Sequence, residues 1–139
     1  MDPQALPASP NLLAIFSAVI AQQAIGYLVY GPKAMALAWT KAWNLDPKKI
    51  DRKDPAPFVL SVVKSAVLAM TLDYLIRHLG WTSALGGLRA ALYIWIGFIA
   101  LGTATHYRFA QISTMALLID LGHDLAAFGA VGLILGAWR

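Results

Sequence analysis

The sequence predicts an all-α fold: a polytopic membrane protein built as a four-transmembrane-helix bundle, with a short interfacial amphipathic helix after the first span. Composition is the first observation behind this. Of the 139 residues, 59% are hydrophobic and only 13% charged, with a mean hydropathy of +0.63, whereas soluble domains are about 45–50% apolar and about 25% charged. The second is the presence of four apolar runs, approximately 12–30, 58–79, 85–105 and 112–138, each long enough as a helix to cross a hydrocarbon core of about 30 Å. The third is the last run, which carries carboxylates and glycines on separate helical faces and so requires neighbouring helices. The whole chain, 1–139, reads as one membrane domain.

Met1 to Pro10 contains three prolines and neither Lys nor Arg, so it lacks the basic start of a secretory signal and is expected to be an irregular lead-in. Leu12 to Tyr30 is the first span. Gln22 and Gln23 interrupt it, and hydrogen bonding to another helix is the expected use of their amides. Gly31-Pro32 breaks the helix. Lys33 to Trp43 then places Met35, Trp39 and Trp43 on one side and Lys33, Thr40 and Lys41 on the other. This is the pattern of a helix lying in the interface, anchored by Trp39, Trp43, Lys33 and Lys41. Asn44 to Pro57 is the one strongly polar stretch and is expected to be a solvated loop.

Phe58 to Leu79 is the second span. Lys64 lies about two turns inside and can extend its ammonium group to the near surface. Asp73 and Arg77 are spaced to pair along the helix. Gly80 ends it. Leu85 to Thr105 is the third span, where Arg89 enters from the same side as Arg77 and is a second candidate to neutralise Asp73. His106 to Arg108 leads into the fourth span.

Four spans put both ends of the chain on one side. Lys33, Lys41, Lys48, Lys49, Arg52, Lys53, Lys64 and Arg108 fall on one side, against Arg77, Arg89 and Arg139 on the other. The positive-inside rule therefore expects both termini outside the cell's inner membrane and the 31–57 connection in the cytoplasm. The net charge of +4 belongs to these flanks and to anionic lipid headgroups, and no nucleic-acid partner is expected.

In the last span, Ser113, Asp120, Asp124, Ala127 and Val131 share one helical face, and Gly122, Ala126, Gly129 and Gly136 share the opposite one. Gly132 and Gly136 have GxxxG spacing. Gly122, Gly129, Gly132 and Gly136 are therefore expected to pack against another helix. An ionised Asp at a helix centre is disfavoured by roughly 2.5–3.5 kcal/mol even on the lenient insertion scale. Asp120, His123 and Asp124 are thus expected to form an intramembrane polar cluster, together with Asp73 and Arg89, and the Asp pair to retain at least one proton.

Three features resemble the integral-membrane family catalogued as domain of unknown function 1761. They are the break Tyr27-Leu-Val-Tyr30-Gly31-Pro32-Lys33 followed by Ala38-Trp39, the four-span layout with its polar loop, and the closing segment Ile119-Asp-Leu-Gly122-His-Asp-Leu125 running on to Gly132 and Leu135-Gly-Ala-Trp138. The resemblance covers nearly the whole chain after residue 10. It implies a membrane fold and brings no activity. The family pattern usually sets an amide-bearing residue and an aromatic-His pair around the glycine, where this chain has Asp120 and His123-Asp124. With the glycines matched, Asp124 stands in place of the family histidine.

No cysteine, Gly-rich phosphate loop or HExxH motif is present, and no enzyme is expected. Asp120, His123 and Asp124 lie on one arc, yet a metal needs ligands from a second element. His123 is where haem, a pigment or a metal would be ligated, but no second ligand is assigned and no cofactor is expected. Two function classes remain. The favoured one is a structural or accessory subunit, packing its glycine face and interfacial tryptophans against itself, as a homo-oligomer, or against a larger membrane complex. The alternative is an oligomeric transport protein for a small solute, cation or proton, using the Asp pair.

Overall fold

The computed structural model describes residues 9–31, 35–46, 48, 50, 51 and 53–138. Helices α1 (Leu12–Tyr30), α2 (Ala36–Ala42), α3 (Ala56–His78), α4 (Ala84–Ile94), α5 (Leu101–Phe109) and α6 (Thr114–Ala137) follow one another. A π-helical segment, Trp95–Ala100, joins α4 to α5. Among the described residues there are no strands. Leu12–Tyr30, Ala56–His78, the continuous Ala84–Phe109 and Thr114–Ala137 are long and apolar enough to cross a membrane, which suggests a multi-pass membrane protein. The expected first span is reproduced to the residue, and the others start or end within a few residues of expectation. Lys33 and the lead-in up to residue 8 lie outside the described residues.

Local chemistry sets the helix ends. Asn11, Ser83 and Ser113 each accept a hydrogen bond from a backbone N–H one turn into α1, α4 and α6, satisfying donors that a helix start leaves open. Gly80, with φ of +67°, provides the left-handed residue that turns the chain after α3. The amphipathic helix is shorter than the 33–43 pattern: α2 has seven residues, Ala36–Ala42.

Helix α6 is central, packed against α4, α1 and α3. The buried core is rich in small residues: Ala14, Ala18, Ala69, Ala90 and Ala91 surround Leu72, Ile76, Phe128, Val131 and Leu135. Small side chains let helix backbones approach closely, which gains dispersion contact where lipid provides no hydrophobic drive. Large apolar side chains point outward instead, Leu60 at 67%, Phe98 at 80% and Leu118 at 61% exposure among them. An apolar exterior around a core of alanine is what a lipid solvent selects, and in water it would be an aggregation surface.

The tightest contact is between α6 and α4. A Cβ at Gly132 would run into the Gly87 carbonyl oxygen and come to 2.7 Å from the Ala91 Cβ. One at Gly136 would strike the Ser83 carbonyl and lie 3.0 Å from the Gly87 Cα. The expected glycine face thus divides. Gly132 and Gly136 carry the crossing and Gly129 meets only the Leu88 side chain, at 3.6 Å, whereas Gly122 is exposed with nothing within 4 Å of an added Cβ. Because Gly132 and Gly136 are covered by α4 of the same chain, they are not left free to dock a partner.

Candidate functional site

Asp120 lies about two turns into α6, on the side of the bundle where α1 ends and α2 sits. Four donors from three elements converge on it. Tyr30 Oη of α1 and Trp39 Nε1 of α2 donate to Oδ1 at 2.7 and 2.9 Å. Tyr107 Oη of α5 and Trp43 Nε1, at the end of α2, donate to Oδ2 at 2.7 and 3.1 Å. A carboxylate is an acceptor with about four lone-pair sites, and indole N–H groups can only donate. This geometry therefore suits the deprotonated carboxylate, with the negative charge spread over four charge-assisted hydrogen bonds. The rings brace one another edge-on: Tyr30 against Trp39 at 5.6 Å and Trp43 against Tyr107 at 5.2 Å between centroids. Ser113 Oγ, besides capping α6, donates to the Ala42 carbonyl at 2.7 Å and pins the far end of α2. The short helix α2 is thus fastened to α6 mainly through one carboxylate.

One turn further along α6, Asp124 faces different partners. Its Oδ1 is 3.2 Å from His123 Nδ1 and 3.9 Å from Lys64 Nζ of α3. The His123 ring lies on Tyr30, with centroids 4.8 Å apart. Asp120 and Asp124 therefore turn to different partners: the oxygens of Asp120 are taken by aromatic donors, and Asp124 faces an imidazole and an ammonium group.

Between α1, α3, α5 and α6 lies a cavity of about 840 Å³, walled by Gln22, Gln23, Ser61, Lys64, Ser65, Thr103, His123 and Asp124, with Tyr30, Tyr107 and Asp120 at its α2 end. Its other lining residues include Gly31, Pro57 and Phe58, at the end of α1 and the beginning of α3. Ser65 is nine residues into α3, so at 1.5 Å per residue the cavity reaches about 14 Å along the helix. The amides of α1 line it as expected of interhelical hydrogen bonds. Gln22 Nε2 donates to the Ser65 carbonyl at 3.3 Å, and Gln23 Nε2 donates to Ser65 Oγ at 2.8 Å while its Oε1 accepts from Ser61 Oγ at 3.3 Å.

Residues 13–136 match the model of a protein family of unknown function. The chain belongs to the DUF1761 family. No curated protein and no solved structure matches it.

The expected polar cluster of this DUF1761 chain is divided among three places. Asp120, His123 and Asp124 come together with Lys64. Asp73 is buried deeper in α3 and bonded to Arg77, Nε to Oδ2 at 2.8 Å, as the i,i+4 spacing predicts. Arg89 is exposed on α4, beside Gly80 and Trp81, and is not part of the α6 site. Sequence spacing put Asp73 and Arg89 in the cluster because it gives depth only approximately. Trp39 and Trp43, expected at headgroup level, are half-buried with their N–H groups directed inward, while Lys41 of the same anchor is exposed. The sequence did not point to Tyr30, Tyr107 or Lys64 as site residues. The available signal was a carboxylate in an apolar helix with no Arg or Lys in helical register, which must find its donors elsewhere. Among the described residues no three His, Cys, Asp or Glu side chains are grouped to hold a metal.

Proposed function

We propose that the chain is a multi-pass membrane protein that binds a small solute in the cavity between α1, α3, α5 and α6, as a transporter or a solute-binding component does. The observation that carries this reading is the cavity itself. Its volume, about 840 Å³, falls in the range of ligand sites, roughly 300–1,000 Å³, and its wall carries amides, hydroxyls and charges inside an otherwise apolar bundle. A single chain lines this cavity, so an oligomer is not needed to form it. The accessory-subunit reading, which the sequence favoured, drew in part on a glycine face whose Gly132 and Gly136 are covered by α4 within the chain. Ser61 and Ser65 are hydrogen-bonded to Gln23 rather than to His123, which favours binding over covalent chemistry.

Cysteine substitution tests this cleanly, since the chain has no native cysteine. In native membranes Ser61→Cys, at a half-buried position on the cavity wall, is expected to react with a small water-soluble methanethiosulfonate, whereas Val67→Cys, at an outward position 53% exposed, faces lipid and should not. Equal inertness of both would remove the hydrated cavity and the reading with it.

The orientation proposed from the basic residues puts the 31–57 connection, and with it the α2 end of the cavity, in the cytoplasm. Cysteines introduced singly at Ala5 and Ile50 should then react with an impermeant maleimide in intact cells only at Ala5. Labelling at Ile50 alone would invert the topology.

A further inference from the structure

The cavity has an unequal set of charges. Its lining includes two carboxylates, Asp120 and Asp124, and one ammonium, Lys64, with His123 as the remaining titratable side chain besides tyrosines. With the histidine neutral, the wall has one negative charge in excess. In a low-dielectric bundle such an excess favours a guest that brings one positive charge and disfavours an anion.

The two carboxylates differ in what they can still offer. Asp120 accepts four hydrogen bonds and its lone pairs are filled. Asp124 is different. Its side chain is 24% exposed and its cation, Lys64, stands 3.9 Å away with 59% of its side chain exposed, a loose and solvent-screened pair that a better-placed cation can displace. Around it the wall supplies aromatic surface from Tyr27, Phe58 and Tyr107, suited to hydrocarbon and to the face of a cation. Gln22 Nε2 is engaged with the Ser65 carbonyl, which leaves its amide oxygen as an acceptor for an ammonium proton.

We propose that the cavity takes a small organic monocation, its ammonium group on Asp124 and its hydrocarbon part against Tyr27, Phe58 and Tyr107. This rests on the solute-binding reading and adds the chemical class of the solute. Lys64 then acts as a competing internal cation, which the guest displaces toward the cavity mouth.

The test is thermal unfolding of the full chain in detergent, with butylammonium chloride, sodium butyrate and butanamide as matched probes at constant ionic strength. Butylammonium should raise Tm in a saturable way, as mass action requires of a ligand that binds only the folded state, while butyrate and butanamide should not. Asp124→Asn should abolish the response. Lys64→Gln, which removes the competing charge and leaves Asp124 in place, should lower the butylammonium Kd about fivefold, a modest factor because the pair is exposed. This second variant keeps the proposal open to refutation if Asp124→Asn does not fold. A saturable response to butyrate or butanamide but not to butylammonium overturns the cation assignment and leaves solute binding standing. A butylammonium response that survives Asp124→Asn, or is weakened by Lys64→Gln, also overturns it. No response to any probe with Ser61→Cys still reactive refutes the monocation alone; no response with Ser61→Cys inert removes both readings.

Discussion

Asp120→Ala is expected to lower the melting temperature of the purified protein by about 10 °C and to shift its tryptophan emission to the red. The substitution strands Tyr30, Trp39, Trp43 and Tyr107 at once, since all four donate to the one carboxylate. Leaving partly buried donors unsatisfied costs about 1–3 kcal/mol each where water cannot replace the acceptor, and water does reach part of this site, so a total of about 3 kcal/mol is the reasonable scale. For a chain of this length that corresponds to roughly 3–4 °C per kcal/mol. The fluorescence change follows because Trp39 and Trp43 carry α2, whose other described side-chain tie to α6 is the Ser113 hydrogen bond. Asp120→Asn should fall between the wild type and Ala. It keeps one oxygen for Tyr30 and Trp39 but turns an NH₂ group toward Trp43, whose indole can only donate. Trp43→Phe removes one charge-assisted bond and should cost about 1.5–3 kcal/mol. Near-wild-type melting and unchanged emission for Asp120→Ala would show that α2 is held by something other than this carboxylate.

The features legible in the sequence were those governed by helical period and hydropathy. Span limits follow from the length of apolar runs, the Asp73–Arg77 pair from i,i+4 spacing, and the Gly132–Gly136 surface from a four-residue repeat. The setting of Asp120 was hidden because its donors lie 90, 81, 77 and 13 residues away along the chain. No local periodicity encodes such a convergence. Trp39 and Trp43 also satisfy the ordinary pattern of an interfacial anchor, which describes their position on α2 and says nothing of where their N–H groups turn. Gly87 was overlooked for a related reason: it sits in the third span without a GxxxG partner, and its role exists only opposite Gly132 and Gly136. The π-helical Trp95–Ala100 segment is likewise silent in hydropathy, because adding a residue to one turn leaves the run equally apolar.

The α4–α6 crossing should be the least tolerant place in the molecule to added bulk, and Gly132→Leu is expected to prevent stable folding or to reduce the melting temperature by more than 10 °C. A leucine there has no rotamer that avoids the obstacle, because the first atom of the side chain already meets the Gly87 backbone and the Ala91 Cβ. Relief requires the two helices to separate along their length, which forfeits contact for Val131, Leu135 and the neighbouring alanines. Overpacking a rigid site costs about 1–3 kcal/mol for small insertions and more when backbone must move. The same reasoning makes Gly87→Leu equally damaging from the other side of the crossing. Even Gly132→Ala should be harmful, whereas Gly122→Ala, which meets nothing within 4 Å, should be neutral or stabilising by up to about 1 kcal/mol through helix propensity. Leu133→Ile, at a position 41% exposed on the outer surface, should do little. Thermal unfolding of the four α6 variants in one detergent gives the comparison directly. If Gly132→Ala and Gly122→Ala melt alike, the close approach of α4 to α6 is not what holds this bundle together.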